Sequence, residues 1–528
     1  MLRLVIGDPG GIMRIHSLVT AFGLLVAVTL SAPVTIAHAE AESCAPGVES
    51  DFNGDNRADT VVGDPFATVN GQAGAGRLVV LYGDSDGLVG EGLRDVLWQG
   101  EAEVFGTPEA GDHFASALAM ADLDCDSYTD VVVGTPGEDI GGLADAGYVQ
   151  VLYGGAGGLA ISDATTNYTR ASFGQVAAAG DQFGFAVDAV EDVGQGGTPA
   201  PSAFALAIGV PGANVSGHND AGAVAVRAAY DGGDESYWLT QDTPDLPGVP
   251  EAGDRFGAAV SCNYLTGLGD VIDCVIGAPN EDIGSAADAG GVTLVQDVYF
   301  SDDMVGISLD QNAAGVPGVA EAGDRYGHSV DTIRVGGTSR IAIGAPGEDV
   351  GSDNSAGMVQ LFSSDLSDVD PGTGLTQDTA GVGDSAQPGD QFGTAVAWIA
   401  PGLGDVRTRL AVGAPLENTG SGVDAGMVQV FPTNNLGSEV AWTQATAGVP
   451  GDADAGDKFG ATLATVAGLG ERVLLVGVPD DVDNASGMVN VLPFGGGAPR
   501  AWVPGGDIPA DGASRFGDSL ASVNGGTT

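Results

Sequence analysis

The sequence predicts an all-β protein, a seven-bladed β-propeller with four strands in each blade. Three observations carry that prediction. An aromatic signal recurs at Phe114, Phe183, Phe256, Tyr326, Phe392, Phe459 and Phe516. An apolar strand ending in Gly-x-Pro recurs as often, from Gly63-Asp64-Pro65 and Gly134-Thr135-Pro136 to Gly477-Val478-Pro479. No helical period of 3.6 competes with these short, turn-bounded runs outside the N-terminal segment. The repeat of roughly 65–75 residues fits a propeller blade with generous turns.

The chain in order supports each element. An aromatic followed by Gly opens the first strand of a unit, and the Gly-x-Pro strand is the second. A third strand follows at Gly76–Tyr82, Gly147–Tyr153, Ala223–Val226, Gly291–Leu294, Met358–Phe362, Met427–Phe431 and Met488–Leu492. A shorter fourth strand reads Leu97-Trp98-Gln99, Tyr168-Thr169-Arg170, Leu239-Thr240-Gln241, Leu309-Asp310-Gln311, Leu375-Thr376-Gln377, Trp442-Thr443-Gln444 and Trp502-Val503. The two ends are each incomplete. The first unit lacks an aromatic strand, while Arg515-Phe516-Gly517 to Val523 has no Gly-x-Pro strand after it. The C-terminal strand is therefore expected to complete the N-terminal blade and close the ring, leaving no unpaired edge.

Bulk properties narrow the class. The 88 glycines accompany 43% apolar residues, so they punctuate strands and do not signal disorder. A formal charge of -54 repels nucleic acid and anionic membrane and favours divalent cations or basic partners. Arg14, the apolar run Leu18–Leu30 and Ala37-His38-Ala39 read as a secretory signal over residues 1–39, with Met13 as an alternative start. No other stretch is long and apolar enough for a membrane span. Residues 40–528 are expected to form one secreted propeller, a monomer. Four cysteines in an exported chain favour disulfides, with Cys262–Cys274 pairing across one hairpin and Cys44–Cys125 by default.

Phe256-Gly257 followed by Gly277-Ala278-Pro279, and Phe392-Gly393 followed by Gly413-Ala414-Pro415, resemble the FG-GAP repeat of the integrin alpha-subunit head. The resemblance covers roughly residues 46–523 and implies the seven-bladed propeller. It does not by itself bring an activity.

The sharpest chemistry lies in two acidic loops. Asp51, Asn53, Asp55 and Asp59 fall at positions 1, 3, 5 and 9, as do Asp122, Asp124, Asp126 and Asp130. Alternate oxygen ligands plus a backbone carbonyl at position 7, from Arg57 or Tyr128, suit Ca²⁺ better than Mg²⁺. The loops resemble the calcium-binding hairpin loops of integrin propellers. They depart at position 6, where the family often has Gly and this chain has Asn56 and Ser127. The other five units lack the spaced carboxylates, so two structural calcium ions are expected.

Other repeated residues have plainer readings. Glu138-Asp139, Glu281-Asp282, Glu348-Asp349 and Glu417 follow the Gly-x-Pro turns and read as solvated turns, or as a face for a basic partner. Asp112, Asp181, Asp254, Asp324, Asp390 and Asp457 are expected to bond neighbouring backbone. Gly83-Asp84-Ser85-Asp86-Gly87 and Gly517-Asp518-Ser519-Leu520 match hydrolase signatures, but neither has the required strand-to-helix turn. No catalytic residue is assigned. The sequence therefore points to a calcium-stabilised extracellular binding or adhesion module for a protein or glycan. The rival is an extracellular hydrolase with a site on the propeller face. FG-GAP repeats also occur in glycosylphosphatidylinositol-specific phospholipase D behind a separate catalytic domain, for which Ala39 to Asp51 leaves no room.

Overall fold

The computed structural model describes residues 50–528 apart from 84–93, 102–103, 160–164, 192–203, 231–232, 266–270, 299–303, 364–371, 403–406, 468–471, 495–496, 506–513 and 523–528, and positions 421, 435, 438, 482 and 485. The signal segment, Met13, Cys44 and the Asp84–Gly87 turn lie outside the described residues. Residues from Glu42 onward form one compact unit, to which everything below refers.

Seven four-stranded antiparallel sheets make up this unit, and each is one blade of the expected propeller. In the second blade the strands are Ala117–Ala121, Asp130–Thr135, Tyr148–Leu152 and Thr165–Tyr168. Its two middle strands are buried along their whole length, because neighbouring blades cover both faces. That is why they read as continuous Val-rich runs and do not alternate. The fourth strand, Thr165–Tyr168, is partly exposed and correspondingly polar.

First strands of successive blades lie side by side around the ring. Ala117–Ala121 packs beside Val187–Glu191, which packs beside Ala259–Asn263, and so on to Thr462–Ala467. The ring closes as expected. Ser519–Leu520 pairs with Thr60–Asp64 in the register Ser519↔Gly63 and Leu520↔Val62, and packs against both Thr462–Ala467 and Ala117–Ala121. One hydrophobic cluster accordingly joins Val62 and Leu78 of the first blade to Met120 of the second and Val466 and Phe516 at the C-terminal side.

The recurring aromatics are all fully buried wedges. Each also ties its blade to the one before. Phe183 forms an isolated parallel bridge to Gly147, at the entrance to the preceding blade's third strand, and its N–H donates to the Ala146 carbonyl at 3.1 Å. Gly147 has φ 75°, and a Cβ there would sit 2.3 Å from the Phe183 carbonyl oxygen. Only glycine satisfies both demands.

One sequence expectation needs adjustment. The fourth strands stop at Leu97, Tyr168, Leu239, Leu309, Leu375 and Trp442, so Gln99, Gln241, Gln311, Gln377 and Gln444 sit in turns and Arg170 opens a short 3-10 helix. The Gly517–Leu520 match is structural: Ser519 Oγ is buried at the closure and donates to the Ala115 carbonyl. Cys262 and Cys274 are bonded as expected, facing each other across adjacent strands. Cys125 is also disulfide-bonded.

Candidate metal centre

The two acidic loops sit on neighbouring blades and touch each other. Thr129 N–H donates to the Asp51 carbonyl at 2.9 Å, and Gly155 N–H to the Phe52 carbonyl at 2.9 Å. Both loops need left-handed backbone at the position where the family prefers glycine. Asn56 has φ 63° and Ser127 φ 74°. Asn tolerates this region more readily than Ser.

Position 1 of each loop is buried and organises the turn. Asp51 Oδ1 accepts the N–H groups of Gly54 and Asp55, and its Oδ2 accepts that of Asn56. Asp122 Oδ2 accepts from Ser127 at 3.0 Å. Its Oδ1, by contrast, is buried without any hydrogen-bond donor. Asp122, Asp124 and Asp130 bring one carboxylate oxygen each to within 4.8 Å of one another, and among the described residues no other three acidic or metal-ligating side chains converge so closely. Asp126 is outside this trio and exposed, its Oδ1 accepting the Tyr128 N–H at 3.0 Å. In the first loop Asp51, Asp55 and Asp59 are not drawn together in this way. Asp55 turns to the Arg57 guanidinium at 3.3 Å, while Asn53 Oδ1 accepts the Asp55 N–H.

The electrostatics favour a cation in the second loop. Burial, followed by the charges of Asp124 and Asp126, pushes Asp122 up to about 6. Burial pushes Asp130 up to about 8 against two stabilising backbone N–H groups. Carboxylates held this close resist ionising together unless a positive charge joins them. Three Asp side chains with converging oxygens, in a loop where Asp122 keeps a buried oxygen without a hydrogen bond, are the donor set a hard, oxygen-seeking cation takes.

Position 9 carries a second role that sequence reasoning missed. Asp59 accepts the N–H groups of Phe52 and Gly83, and Asp130 those of Leu123 and Gly154. Asp273, in a blade without the acidic loop, accepts the N–H groups of Leu265 and Asp297 in the same manner. This fully buried Asp therefore clamps the loop to the next strand with or without a metal motif. An Asp immediately before the second strand was the available signal.

The acidic turns after Gly-x-Pro are not free solvated groups. Gln99, Gln241, Gln311 and Gln377 donate their side-chain N–H across to the next blade's Glu138, Glu281, Glu348 and Glu417 at 2.5–2.8 Å. Gln444 does the same to Asp481 at 2.9 Å. The companion Asp139, Asp282 and Asp349 accept the N–H of Asp145, Asp288 and Ser355 within their own loops. Mainly through burial, Glu138, Glu281 and Glu348 are pushed up to about 7. The third blade has Ala213 at this position, and there Arg170 of the second blade pairs instead with Asp181. As expected, Asp112, Asp181, Asp254, Asp324, Asp390 and Asp457 each accept a backbone N–H from three residues upstream.

Residues 114–152, from the second blade's aromatic through its third strand, match the FG-GAP repeat family. The chain thus carries an FG-GAP repeat in its second blade. A stretch of 105 residues is 36% identical to phosphatidylinositol-glycan-specific phospholipase D of Mus musculus, and covers 20% of this chain and 12% of that protein. The Rattus norvegicus enzyme of the same name is 35% identical over 105 residues, with the same coverage. The match thus spans about 12% of the length of these curated relatives. The alpha-L-arabinofuranosidase Arb93A from Fusarium graminearum overlays with a TM-score of 0.38 and 10% identity, over 72% of this chain and 93% of its own. Among the described residues no helix is long and apolar enough to cross a membrane.

Proposed function

We propose that this protein is an extracellular binding module whose propeller is tied by structural calcium. The FG-GAP repeats and the disulfides support the extracellular setting. The single observation that carries the calcium reading is the convergence of one carboxylate oxygen each from Asp122, Asp124 and Asp130 within 4.8 Å. Asp122, Asp124, Asp130 and the Tyr128 carbonyl are the proposed first ligands, with Asp126 joining on binding. The equivalent first-loop set is Asp51, Asn53, Asp55, the Arg57 carbonyl and Asp59, and Asp55 must leave Arg57 to take part. The second loop is therefore the tighter site. Calcium here neutralises clustered carboxylates and fixes two adjoining loops, and leaves the outer surfaces to bind a protein or glycan.

Terbium luminescence tests the metal site, since Tyr128 lies within the loop to sensitise a bound lanthanide. Saturable emission displaced by calcium, and lost in Asp122→Ala with Asp124→Ala, is expected. Emission unaffected by both changes would show that the ion sits elsewhere.

A hydrolase reading is favoured only by the similarity to the two phospholipase D enzymes. Ser519, the described serine of a hydrolase-like motif, is committed to the closure. A screen with ester, phosphate and glycoside substrates separates the two readings. Robust turnover abolished by one carboxylate change would reverse the assignment.

A further inference from the structure

The residue before each recurring aromatic departs from the chain's charge balance. These residues are His113, Gln182, Arg255, Arg325, Gln391, Lys458 and Arg515, with four cations and no acid among them. The chain as a whole has 71 Asp and Glu against 17 Lys and Arg. Six of the seven hold left-handed backbone, with φ between 55° and 60°, from His113 at 55° to Lys458 at 60°. This unfavourable conformation is repeated in blade after blade, which fixes the direction in which each of these side chains leaves the turn.

Four of them, His113, Gln182, Arg255 and Arg325, line a cavity of about 880 Å³ bounded by residues of six blades, so it opens at the ring's centre. Arg255 and Arg325 both line it, with Gln182, Phe185, Asn280 and His328. Two of the ring cations are already neutralised: Lys458 lies 2.7 Å and Arg515 3.0 Å from Asp480. Arg255 and Arg325 have no carboxylate within ion-pairing distance among the described residues. The Arg255 guanidinium is half-buried, 5.1 Å over the Phe185 ring and 3.4 Å from Gln182 Oε1, and feels the charge of Asp220 without forming an ion pair with it. Burial lowers its pKa from the ordinary value, so its charge is poorly solvated. The lining acids, Asp145 and Asp518, do not pair with it; Asp518 lies instead 3.3 Å from Arg515.

A planar guanidinium left unpaired in a concave site is suited to bidentate grip on an anion. The rest of the lining narrows the anion's class. The exposed Phe185 face suits the C–H face of a sugar ring, and the Gln182 and Asn280 amides suit its hydroxyls. The volume lies within the range of small-ligand pockets, about 300–1,000 Å³. We propose that this axial mouth binds a carboxylate-bearing sugar, with Arg255 and Arg325 gripping the carboxylate and Phe185 facing the pyranose ring. The proposal rests on the binding-module reading and supplies that module's ligand class. The net charge of the protein does not forbid it, since charges beyond about 10 Å are screened at ordinary salt.

The test is calorimetric titration of the calcium-loaded protein with a glucuronate-containing oligosaccharide, its uncharged glucose counterpart and a short Glu-rich peptide. Saturable binding of the uronide alone is expected, weakened at least tenfold by Arg255→Gln or Arg325→Gln and reduced by added salt. Arg325→Gln should keep the parent melting temperature, and Arg255→Gln, which also loses the Phe185 and Gln182 contacts, should lower it only slightly. The proposal is overturned by no binding of the uronide, by equal binding of the neutral sugar, by preference for the peptide, or by uronide affinity that survives both changes. Terbium binding is read separately, so failure here leaves the calcium reading standing and failure there leaves this one.

Discussion

The closure between the last and first blades is built differently from the ordinary junction between, for example, the fourth and fifth. At the ordinary junction Gln311 donates to Glu348, and buried side chains such as Leu294 and Ile343 carry the packing. At the closure an ion pair is buried: Arg77 Nη2 lies 2.6 Å from Asp64, with side-chain exposures of 3% and 0%. Asp64 also accepts the Arg515 N–H at 2.9 Å and the Ser514 hydroxyl, so the C-terminal segment is held by the N-terminal blade's charge. Most junctions link residues already joined by continuous chain. The closure must fix a strand with only two paired residues, and a short strand gains little from backbone pairing alone. Specific charge recognition compensates there, whereas the fourth–fifth junction combines apolar area with one Gln–Glu hydrogen bond.

The largest effect should come from removing the closure altogether. A chain ending at residue 510 loses Phe516 and the Ser519–Leu520 strand, exposing the edge of Thr60–Asp64. We expect loss of cooperative unfolding and concentration-dependent aggregation by light scattering. A soluble product with a single sharp transition would show that the ring does not depend on closure.

Next in size is Asp64→Ala, which leaves Arg77 buried and unpaired. Breaking a buried pair from one side costs about 3–5 kcal/mol, read by denaturant unfolding. Gln311→Ala, the matching change at an ordinary junction, should cost about 1–2 kcal/mol, because half-buried Glu348 loses one donor. Equal costs would erase the contrast between the junctions.

A smaller effect comes from pH. Glu138, Glu281 and Glu348 have folded values raised to about 7, above the ordinary glutamate value of 4.5. The folded state therefore holds protons that the unfolded chain has released. Stability from this source is fully present below pH 4.5 and declines as pH rises through about 7. In chelator, the melting temperature should fall between pH 5 and pH 8. Glu138→Gln, Glu281→Gln and Glu348→Gln together keep an acceptor for each Gln partner but remove the titration, so they should flatten that slope. A slope unchanged in the triple variant would assign it to other buried carboxylates.

Much of this was legible in the residues. The seven aromatic and Gly-x-Pro signals, the strand order and the C-terminal closure all follow from local pattern, because each blade repeats the same packing problem. The closure's chemistry was also written in the chain, as Asp64 in a Gly-x-Pro turn that elsewhere carries Thr, Val or Ala, and Ser514 where other units have Asp. Recognising it required knowing that the two ends meet. The Gln–Glu junctions were missed because partners 37–40 residues apart belong to different blades, and only the three-dimensional stacking brings them together. The two acidic loops looked equivalent in spacing. Their difference lies in side-chain direction, with Asp55 drawn to Arg57 while Asp122, Asp124 and Asp130 converge.

The most direct measurement of the account is the thermal melt of the full chain in calcium and in chelator, for the parent and for Asp122→Ala with Asp124→Ala. A ligand that binds only the folded state raises its stability by mass action. The account predicts that calcium raises the parent's melting temperature and that the double variant loses most of that rise. A parent melt identical in calcium and in chelator would contradict it.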